Sequence, residues 1–346
     1  MDDVLIECVP NFSEGRNNKT IESIKHAILS TPNVTLLDVD VGHDFNRTVM
    51  TMVGDPDSIL MAAVNSSKVA YELINMQNHT GEHARMGAVD VVPFIPLANA
   101  SMEICTTIAN KYAEIISTEF DVPVYLYGES ATNLDRISLP NIRRGEFEGF
   151  AKKIKDKNWI PDYGKPEFNS KSGVTATGSR NMLIAYNVNL DTNDKALANI
   201  IAGKIRTSGT LKKDDEGNKI LDDDGKPMRE PGEFKSLQAA GWMFDDNTAQ
   251  VSMNLLNYNI TGFHHVMESI KFEAKKLGLN VISSELVGLG PLDAFLEAGK
   301  YYSSEDNKSS EEELVDFAIK GLKLDVIDKF IPQNNIIEWT ILKNRR

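Results

Sequence analysis

Cysteine is scarce in this sequence of 346 residues, in which only Cys8 and Cys105 occur. Two isolated cysteines exclude a disulfide framework and a CxxC metal site. Long apolar runs are also missing, since no stretch approaches the roughly 18 residues that a membrane span requires. The N-terminal segment MDDVLIECVPNF begins with two acids after the methionine and lacks the pattern of a signal peptide. We therefore expect a soluble protein of the cytoplasm.

Positive charge is in deficit, because 37 Lys and Arg residues face 50 Asp and Glu residues, which gives a net charge of -13. Nucleic acid is therefore not expected as a partner, since binding to its phosphates requires an electropositive surface. The sequence also lacks a GxxxxGK[ST] loop, a GxSxG elbow and a GxGxxG segment after a strand, so three common nucleotide-binding and hydrolase classes have no support. A few local Arg or Lys residues still suffice to bind an anionic small molecule.

Short β-rich runs alternate with helical patterns in the first half of the chain. The predicted elements are a strand over 4–9, a helix over 17–29, strands over 34–41 and 47–53, a helix from 54 to 74 and a strand over 89–95. Asn17 and Asp57 are the expected caps of the two helices. This order is that of a split βαβ or ferredoxin-like unit, and a helix over 102–120 and a strand over 122–127 extend its sheet.

The second half repeats this order of elements. The predicted elements are a strand over 181–190, a helix capped by residues 191–194 and ending at 205, strands over 236–244 and 248–256, a helix over 262–277 and a strand over 281–286. A capping box from Ser309 or Ser310 to Glu313 predicts a last helix that ends near Gly321. Residues 336–341 are predicted to form a final strand.

Two irregular stretches interrupt this pattern. Residues 156–179, between the halves, are rich in Gly, Pro, Ser and Asn, and they form either a functional loop or a passive linker. Residues 212–233 carry turn signals and are predicted to form a charged, solvated surface hairpin. The predicted fold class is therefore α/β (α+β), with two ferredoxin-like βαββαβ-type subdomains of mixed sheets over residues 1–178 and 179–346.

Among the six histidines, His79 and His83 have i, i+4 spacing. On a helix such a pair presents two metal ligands, but Thr80-Gly81 weakens a helix here and no third ligand follows nearby. His83 also lies in the segment GEHARMGAVD, a polar loop flanked by glycines that runs into a long apolar strand. Because histidine exchanges protons near neutral pH, His83 is either a catalytic residue or a structural or surface histidine.

Two acids lie on the second predicted strand. Asp38 and Asp40 have the same parity and therefore face the same side of the sheet. Acids in this position are paired, hydrogen-bonded or placed at a cleft, unless the end of the strand is exposed. Arg47 follows a few residues later, and it either pairs with one of these acids or binds a substrate carboxylate through two nitrogens. The spacing leaves both alternatives open.

Seven segments of the chain are long enough to be compared with protein families. They are ECVPNFSEG at 7–15, LLDVD at 36–40, NRTV at 46–49, GEHARMGAVDVVPFIP at 81–96, NMLIAYNVNL at 181–190, AQVSMNLLNY at 249–258 and ELVGLGPL at 285–292. Together they resemble the formiminotransferase family, and the likeness runs from residue 4 to about residue 341. Because the segments are long and occur in the expected order, the chain is identified as a member of this family.

The resemblance implies transfer of a formimino group from N-formimino-L-glutamate to tetrahydrofolate, giving 5-formiminotetrahydrofolate and L-glutamate, in histidine degradation and one-carbon metabolism. It also implies tetrahydrofolate as the co-substrate, no metal, a homodimer, and a folate-binding cleft between two α/β subdomains. In vertebrate members this module is fused to a cyclodeaminase. The present chain stops with the transferase module, so we expect no cyclodeaminase activity from it, and a separate cyclodeaminase is a candidate to take the product.

By the same resemblance, the catalytic acid–base histidine corresponds to His83 and the acid of the second strand corresponds to Asp40. The folate-binding segment corresponds to ten residues of the connector. These are Gly164, Lys165, Pro166, Glu167, Phe168, Asn169, Ser170, Lys171, Ser172 and Gly173. Formiminoglutamate carries two carboxylates, so Arg47 and Arg85 are candidates for binding them.

Two positions depart from the family pattern. Relatives often have Pro where this chain has Ala84, and they have an aromatic residue near Ser172. Three alternatives to the implied activity stay open at this point. Formiminoglycine is an alternative donor, a folate-binding protein without catalysis is the second alternative, and a metal-dependent hydrolase built on His79 and His83 is the third.

Overall fold

The computed structural model describes residues 4–303 and 309–344. The chain folds into two compact units that divide between Asn181 and Met182. Each unit combines a β-sheet with helices around its own hydrophobic core. The predicted α/β class is therefore confirmed.

The sheet of the first unit contains both parallel and antiparallel strands. The strands are β1 (Leu5–Cys8), β2 (Asn11–Phe12), β3 (Val34–Gly42), β4 (Arg47–Gly54), β5 (Val89–Ala98), β6 (Val124–Gly128) and β7 (Thr175–Ser179). The order across the sheet is β3-β4-β1-β5-β7-β6, and the short β2 also pairs with β4 and β5. Neighbours are antiparallel except at β7, which is parallel to both β5 and β6. This sheet is mixed, as predicted.

Strand β7 corrects the prediction that residues 156–179 are irregular throughout. Its sequence TATGS has none of the large apolar side chains that make a strand recognisable. All five residues are buried, because β7 lies between β5 and β6 inside the sheet. Gly178 is required there, since a Cβ atom would lie 2.1 Å from the carbonyl oxygen of Tyr127.

The helices of the first unit cover both faces of this sheet. They are α1 (Asn18–Leu29), α2 (Pro56–Leu73), α3 (Met102–Glu119), α4 (Leu139–Arg143) and α5 (Glu146–Lys153). Helices α1 to α3 share one core cluster with Val124 and Leu126 of β6. The intervening residues Tyr125 and Tyr127 point to the opposite face, where they pack with Ile142 of α4 and Phe150 of α5.

The caps of the first two helices test the start signals in the sequence. The Asn17 side chain accepts hydrogen bonds from the backbone N–H groups of Lys19 and Thr20, so the predicted cap of α1 is confirmed. The predicted cap of α2, Asp57, is wrong, because Asp55 occupies that position. Pro56 lacks an N–H and suits the first helical residue, and it therefore sets the cap one residue before itself.

The second unit has an antiparallel sheet. Its strands are β8 (Ile184–Leu190), β9 (Thr210–Leu211), β10 (Arg229–Glu230), β11 (Leu237–Met243), β12 (Ala249–Leu255) and β13 (Val281–Val287). The main sheet has the order β11-β12-β8-β13, and every neighbouring pair in it is antiparallel. The mixed sheet predicted for this half is therefore wrong. The order and directions match those of β3-β4-β1-β5 in the first unit, so the two halves repeat one arrangement.

Helices complete the second unit. They are α6 (Lys195–Ile205), α7 (Phe263–Lys276), α8 (Leu292–Tyr302), α9 (Glu311–Leu322), α10 (Pro332–Asn335) and α11 (Ile337–Asn344). The capping box predicted for α9 is confirmed: the Ser310 hydroxyl accepts from the N–H of Glu313, and the Glu313 carboxylate accepts from the N–H of Ser310. No helix within the described ranges is long and apolar enough to cross a membrane.

The strand predicted over 336–341 is wrong, because this segment lies mostly in α11. Ile337, Thr340 and Ile341 are buried, at the i, i+3, i+4 spacing of a helix. The run is rich in β-branched residues, which favour a strand by propensity. Burial of one helical face outweighs that preference.

The excursion over 212–233 is a surface hairpin, as predicted. Strands β9 and β10 pair at its base, and single bridges join Lys213 to Lys219 and Leu221 to Pro227. Most of its residues are exposed. It therefore lies outside the core of the second unit.

Candidate active site

The segment that carries His83 is fixed against the turn between β3 and β4. We call residues 79–88 the His83 loop. The Asn46 side chain donates through Nδ2 to the carbonyl of Thr80 at 2.9 Å. Gly81 lies so close to this turn that a Cβ atom there would come within 2.3 Å of the carbonyl oxygen of Phe45. Glycine at 81 therefore permits a close approach of two backbones, which places His83 near the start of β4.

His83 is hydrogen-bonded to Arg47, the first residue of β4. Nη1 of Arg47 lies 2.6 Å from Nε2 of His83. A guanidinium carries only donors, so Nε2 must accept this bond, and in the neutral ring the proton then resides on Nδ1. Nδ1 is buried and makes no hydrogen bond to any residue in 4–303 or 309–344. In this state neither ring nitrogen has a lone pair that is free to take a proton.

The surroundings of His83 disfavour its protonated form. Burial lowers the pKa of His83 to about 4, and the positive charges of Arg47 and Arg143 act in the same direction. Asp90 opposes them without reversing the outcome. The edge of the Phe45 ring also approaches the imidazole, with the ring centroids 6.4 Å apart. At neutral pH the imidazole is therefore uncharged, which is the form that can act as a base once a lone pair is free.

A buried ion pair lies close to His83. Asp90, the second residue of β5, is 1% exposed, and its Oδ2 accepts from Nη2 of Arg143 at 2.5 Å. Its Oδ1 accepts from the backbone N–H of Met86 at 2.9 Å, so it also holds the end of the His83 loop. The sequence analysis missed both charged residues. An acid within an otherwise apolar strand was the one available signal for Asp90, and Arg143 had none.

Arg47 differs from the other buried arginines of this unit in lacking a carboxylate. Arg85, Arg136 and Arg143 each form an ion pair with an acid at 2.5 to 2.9 Å. No Asp or Glu within residues 4–303 or 309–344 lies within ion-pair distance of Arg47. Burial lowers the pKa of Arg47, and Arg143 lowers it further. Arg47 is therefore a half-buried cation whose side chain is hydrogen-bonded to a neutral imidazole.

Asp40 and Asp38 lie on β3, the strand at the edge of the sheet. Asp40 is exposed, and its carboxylate makes no hydrogen bond to any residue that the structure describes. Its charge still acts on Arg47, whose pKa it raises in opposition to burial. Asp38 is half-buried, and burial raises the pKa of its carboxyl group. Asp40 thus faces the side of Arg47 without contacting His83.

Arg85 is fully engaged inside the protein. Its guanidinium donates to the carboxylates of Glu146 and Glu148 at 2.6 to 3.0 Å. Its Nε donates to Nδ1 of His79 at 3.3 Å, and Nε2–H of His79 donates to the carbonyl of Asn46 at 2.9 Å. Both nitrogens of His79 are therefore occupied, which disfavours the alternative of a metal site formed with His83. Within the described ranges no three His, Cys, Asp or Glu side chains form a group that could hold a metal ion.

The 164–173 segment meets the end of the His83 loop through its last residues. The backbone N–H of Ala88 donates to the carbonyl of Ser172 at 2.8 Å, and the N–H of Val174 donates to the carbonyl of Met86 at 3.1 Å. Gly173 has a φ of +73°, and a Cβ atom there would lie 2.2 Å from the carbonyl oxygen of Met86. The structure thus brings two of the predicted site segments into contact.

The rest of this segment is mostly exposed. Phe168 packs on Phe147 with ring centroids 5.1 Å apart, which anchors the middle of the segment. Lys165 and Lys171 are exposed, and the nearest acid to the Lys165 ammonium is Asp121 at 3.8 Å.

The family model described as "Formiminotransferase domain, N-terminal subdomain" matches residues 5–180, and the model described as "Formiminotransferase domain" matches residues 185–342. The chain belongs to the formiminotransferase family. The resemblance found in the sequence is therefore confirmed.

Curated relatives of this formiminotransferase fall into two groups by length. A protein from Streptococcus pyogenes serotype M1 named glutamate formimidoyltransferase is 39% identical over 92% of the chain and 99% of its own length. A protein of the same name from Thermoplasma acidophilum is 39% identical over 86% of the chain and 92% of its own length. A formimidoyltransferase-cyclodeaminase from Gallus gallus is 43% identical over 97% of the chain. The chain spans 60% of the length of that last relative.

Proposed function

We propose that this formiminotransferase is a glutamate formimidoyltransferase, which moves the formimino group of N-formimino-L-glutamate to tetrahydrofolate. Two relatives covered over more than nine-tenths of their length carry that enzyme name. The observation that carries the proposal within the structure is the neutral His83 imidazole, held 2.6 Å from a guanidinium that has no carboxylate partner among the described residues. A proton carrier beside an anion-binding group is what transfer from a carboxylate-bearing donor requires.

Tetrahydrofolate, the proposed acceptor, supplies a secondary amine that attacks the amidine carbon of the donor. The 164–173 segment supports this choice, because it offers exposed backbone and the exposed cations of Lys165 and Lys171, and its last residues contact the His83 loop. In this proposal those ten residues bind the folate. Products are 5-formiminotetrahydrofolate and L-glutamate, and the proposed setting is histidine degradation in the cytoplasm by a homodimer.

His83 moves the proton that the reaction must relocate. When the new carbon–nitrogen bond forms, the attacking nitrogen carries a proton that has to leave, and the glutamate nitrogen must gain one before its bond to carbon breaks. A neutral imidazole accepts the first proton and delivers it to the departing amine, so proton and electron pairs balance over the cycle. The lowered pKa of His83 to about 4 keeps this base uncharged in the free enzyme.

In this scheme the Asp40 carboxylate stabilises the positive charge of the donor. An acid near the imidazole has two available roles, to orient the ring or to stabilise a cationic group of the donor. The first has no support, since no hydrogen bond joins Asp40 to His83. Its exposed and unpaired carboxylate instead suits the cationic amidinium of the donor. Arg47 is favoured over Arg85 for the donor carboxylates, because Arg85 already binds Glu146 and Glu148.

The decisive experiment replaces His83 by alanine and measures formimino transfer from formiminoglutamate to tetrahydrofolate. We expect the turnover number to fall by about 100-fold or more, which is the usual contribution of a positioned acid–base group. His26→Ala is the matched control, since His26 is an exposed histidine on α1. Near-wild-type turnover of a folded His83→Ala protein would exclude His83 as the proton carrier.

Assays with two donors separate the remaining alternatives. Formiminoglycine lacks the distal carboxylate, so a preference for it over formiminoglutamate would reassign the enzyme to glycine formimidoyl transfer. Binding of tetrahydrofolate without turnover of either donor would favour a folate-binding protein instead.

A further inference from the structure

Arg47 is hydrogen-bonded to Nε2 of His83, the nitrogen that accepts the proton in the proposed reaction. This bond is weaker than the bond that Arg47 would make to a carboxylate. In the structure the guanidinium donates to a neutral nitrogen at 2.6 Å. A carboxylate adds the attraction of an opposite charge and accepts two parallel hydrogen bonds from a guanidinium, whereas a neutral imidazole offers one uncharged acceptor. A carboxylate that reaches this position therefore competes with His83 for Arg47.

No acid in residues 4–303 or 309–344 competes for that role. Asp90 is occupied by Arg143 and by the backbone of Met86, and Asp40 lies beyond ion-pair distance. Arg47 itself is only half-buried. A partly buried cation without a counter-ion is costly, and an incoming anion removes that cost.

We propose that Arg47 is a carboxylate-operated switch: a carboxylate of the donor draws the guanidinium away from His83 and so frees Nε2 to accept the proton of the attacking amine. The inference rests on the proposed function, and it adds a specificity-determining residue to it. A donor that lacks the carboxylate would leave Arg47 on Nε2 and the base blocked. The switch thus ties activation of His83 to the presence of the correct substrate class, an N-formimino amino acid.

Three charged groups act on the pKa of His83. Arg47 from β4 and Arg143 from α4 disfavour the imidazolium, whereas Asp90 from β5 favours it. Asp40 from β3 acts on Arg47. When a carboxylate neutralises Arg47, one of the two opposing charges is cancelled, and the affinity of His83 for a proton rises.

The test titrates His83 by NMR in the full-length protein with isotope-labelled histidine, and a His83→Gln spectrum assigns the signal. Glutarate serves as the dicarboxylate probe, and glutaramide serves as its neutral counterpart. We expect glutarate to raise the apparent pKa of His83 by about one pH unit or more, because a nearby opposite charge shifts a pKa by one to three units. Glutaramide should leave the pKa unchanged. An equal response to both compounds, or none to glutarate, would overturn the switch.

Variants of Arg47 supply the second arm. In Arg47→Met the pKa of His83 should rise without any ligand, and glutarate should have no further effect. Arg144→Met is the matched control, since Arg144 is exposed and donates to Asn141 rather than to His83. A His83 pKa that is the same in Arg47→Met as in the wild-type protein would also refute the proposal.

Kinetics distinguish failure of the switch from failure of the proposed function. If transfer occurs, Arg47→Met should raise the KM of the donor and shift the pH profile of kcat/KM, which reports groups of the free enzyme. The NMR titration does not require turnover. A response of His83 to glutarate in a protein without formimino transfer would therefore retain the switch and reject the reaction, whereas transfer without that response would do the reverse.

Discussion

Nη2 of Arg143 lies 2.5 Å from Oδ2 of Asp90, so two opposite charges share an interior position near the His83 imidazole. The pair joins α4 to β5, and the same carboxylate accepts from the N–H of Met86. One ion pair therefore links a helix, a strand and the His83 loop. We therefore expect the fold of the site to depend on the Asp90 carboxylate.

Replacing Asp90 by asparagine should destabilise the protein strongly. The change leaves the Arg143 guanidinium buried without a counter-ion, and breaking one partner of a buried pair costs about 3 kcal/mol or more. Urea unfolding measures the loss as a lower midpoint. Asp44→Asn is the control, because the Asp44 side chain is exposed and lies 3.5 Å from a neighbouring exposed histidine, so its effect should stay within about 0.5 kcal/mol. Equal stability of the two variants would show that the pair contributes little.

Gly173→Ala should lower both stability and activity. The φ of Gly173 is +73°, and the added Cβ would lie 2.2 Å from the carbonyl oxygen of Met86. Something must move, and the nearest atoms belong to the backbone of the His83 loop. We expect a loss of stability of about 2 kcal/mol or more, from backbone strain together with the clash, seen as a lower Tm, and a fall in transfer rate in the protein that remains folded.

Gly278→Ala separates the cost of backbone strain from the cost of a steric clash. Gly278 has a φ of +74°, almost the same as Gly173, but a Cβ atom there meets nothing within 4 Å. It should therefore cost only about 1 kcal/mol, for the left-handed backbone alone, and leave activity unchanged. If both alanine variants behaved alike, contact between the 164–173 segment and the His83 loop would not matter for the site.

Local signals explain which parts of the fold the sequence predicts. Asn17 precedes an amphipathic run and caps α1, and Ser310 with Glu313 forms the expected capping box. Such features act over three or four residues and are visible in one stretch of sequence. Strand β7 escapes this logic, because TATGS becomes a strand only through its neighbours β5 and β6. The helix α11 is missed for a related reason. Its β-branched residues favour a strand by propensity, but burial of one face against the core makes them helical.

The residues of the site also differ in whether a local sequence signal predicts them. His83 stands out through its glycine-flanked loop, and Arg47 through its position after two acids. The pairing of Asp90 with Arg143 joins residues 53 positions apart, and no periodic pattern connects them. Arg85 is paired with the carboxylates of Glu146 and Glu148, which lie in a helix about 60 residues further along, whereas Arg47 is left without a carboxylate partner among the described residues. Pairing between distant charges is set by the fold, and a single sequence carries no signal for it.

Stability should depend on pH through His83, with a sign that the structure determines. The pKa of His83 is about 4 in the folded protein against an ordinary value of 6.5. Between these two values the unfolded chain binds more protons than the folded one, so the free energy of unfolding decreases as pH falls from 6.5 toward 4. After allowance for partial exposure, we expect a loss of about 2 kcal/mol from this group.

His83→Gln isolates that contribution, because glutamine keeps an acceptor for Arg47 but cannot take up a proton. Unfolding by urea at a series of pH values gives a stability curve for each protein. Burial also lowers the pKa of His79 and of His264, and these groups are common to both proteins, so their effects cancel in the difference. The wild-type curve should fall away from the variant curve below pH 6.5 and level off near pH 4. Parallel curves would mean that the imidazole is protonated as easily in the fold as in water, which is incompatible with a base held uncharged beside two arginines.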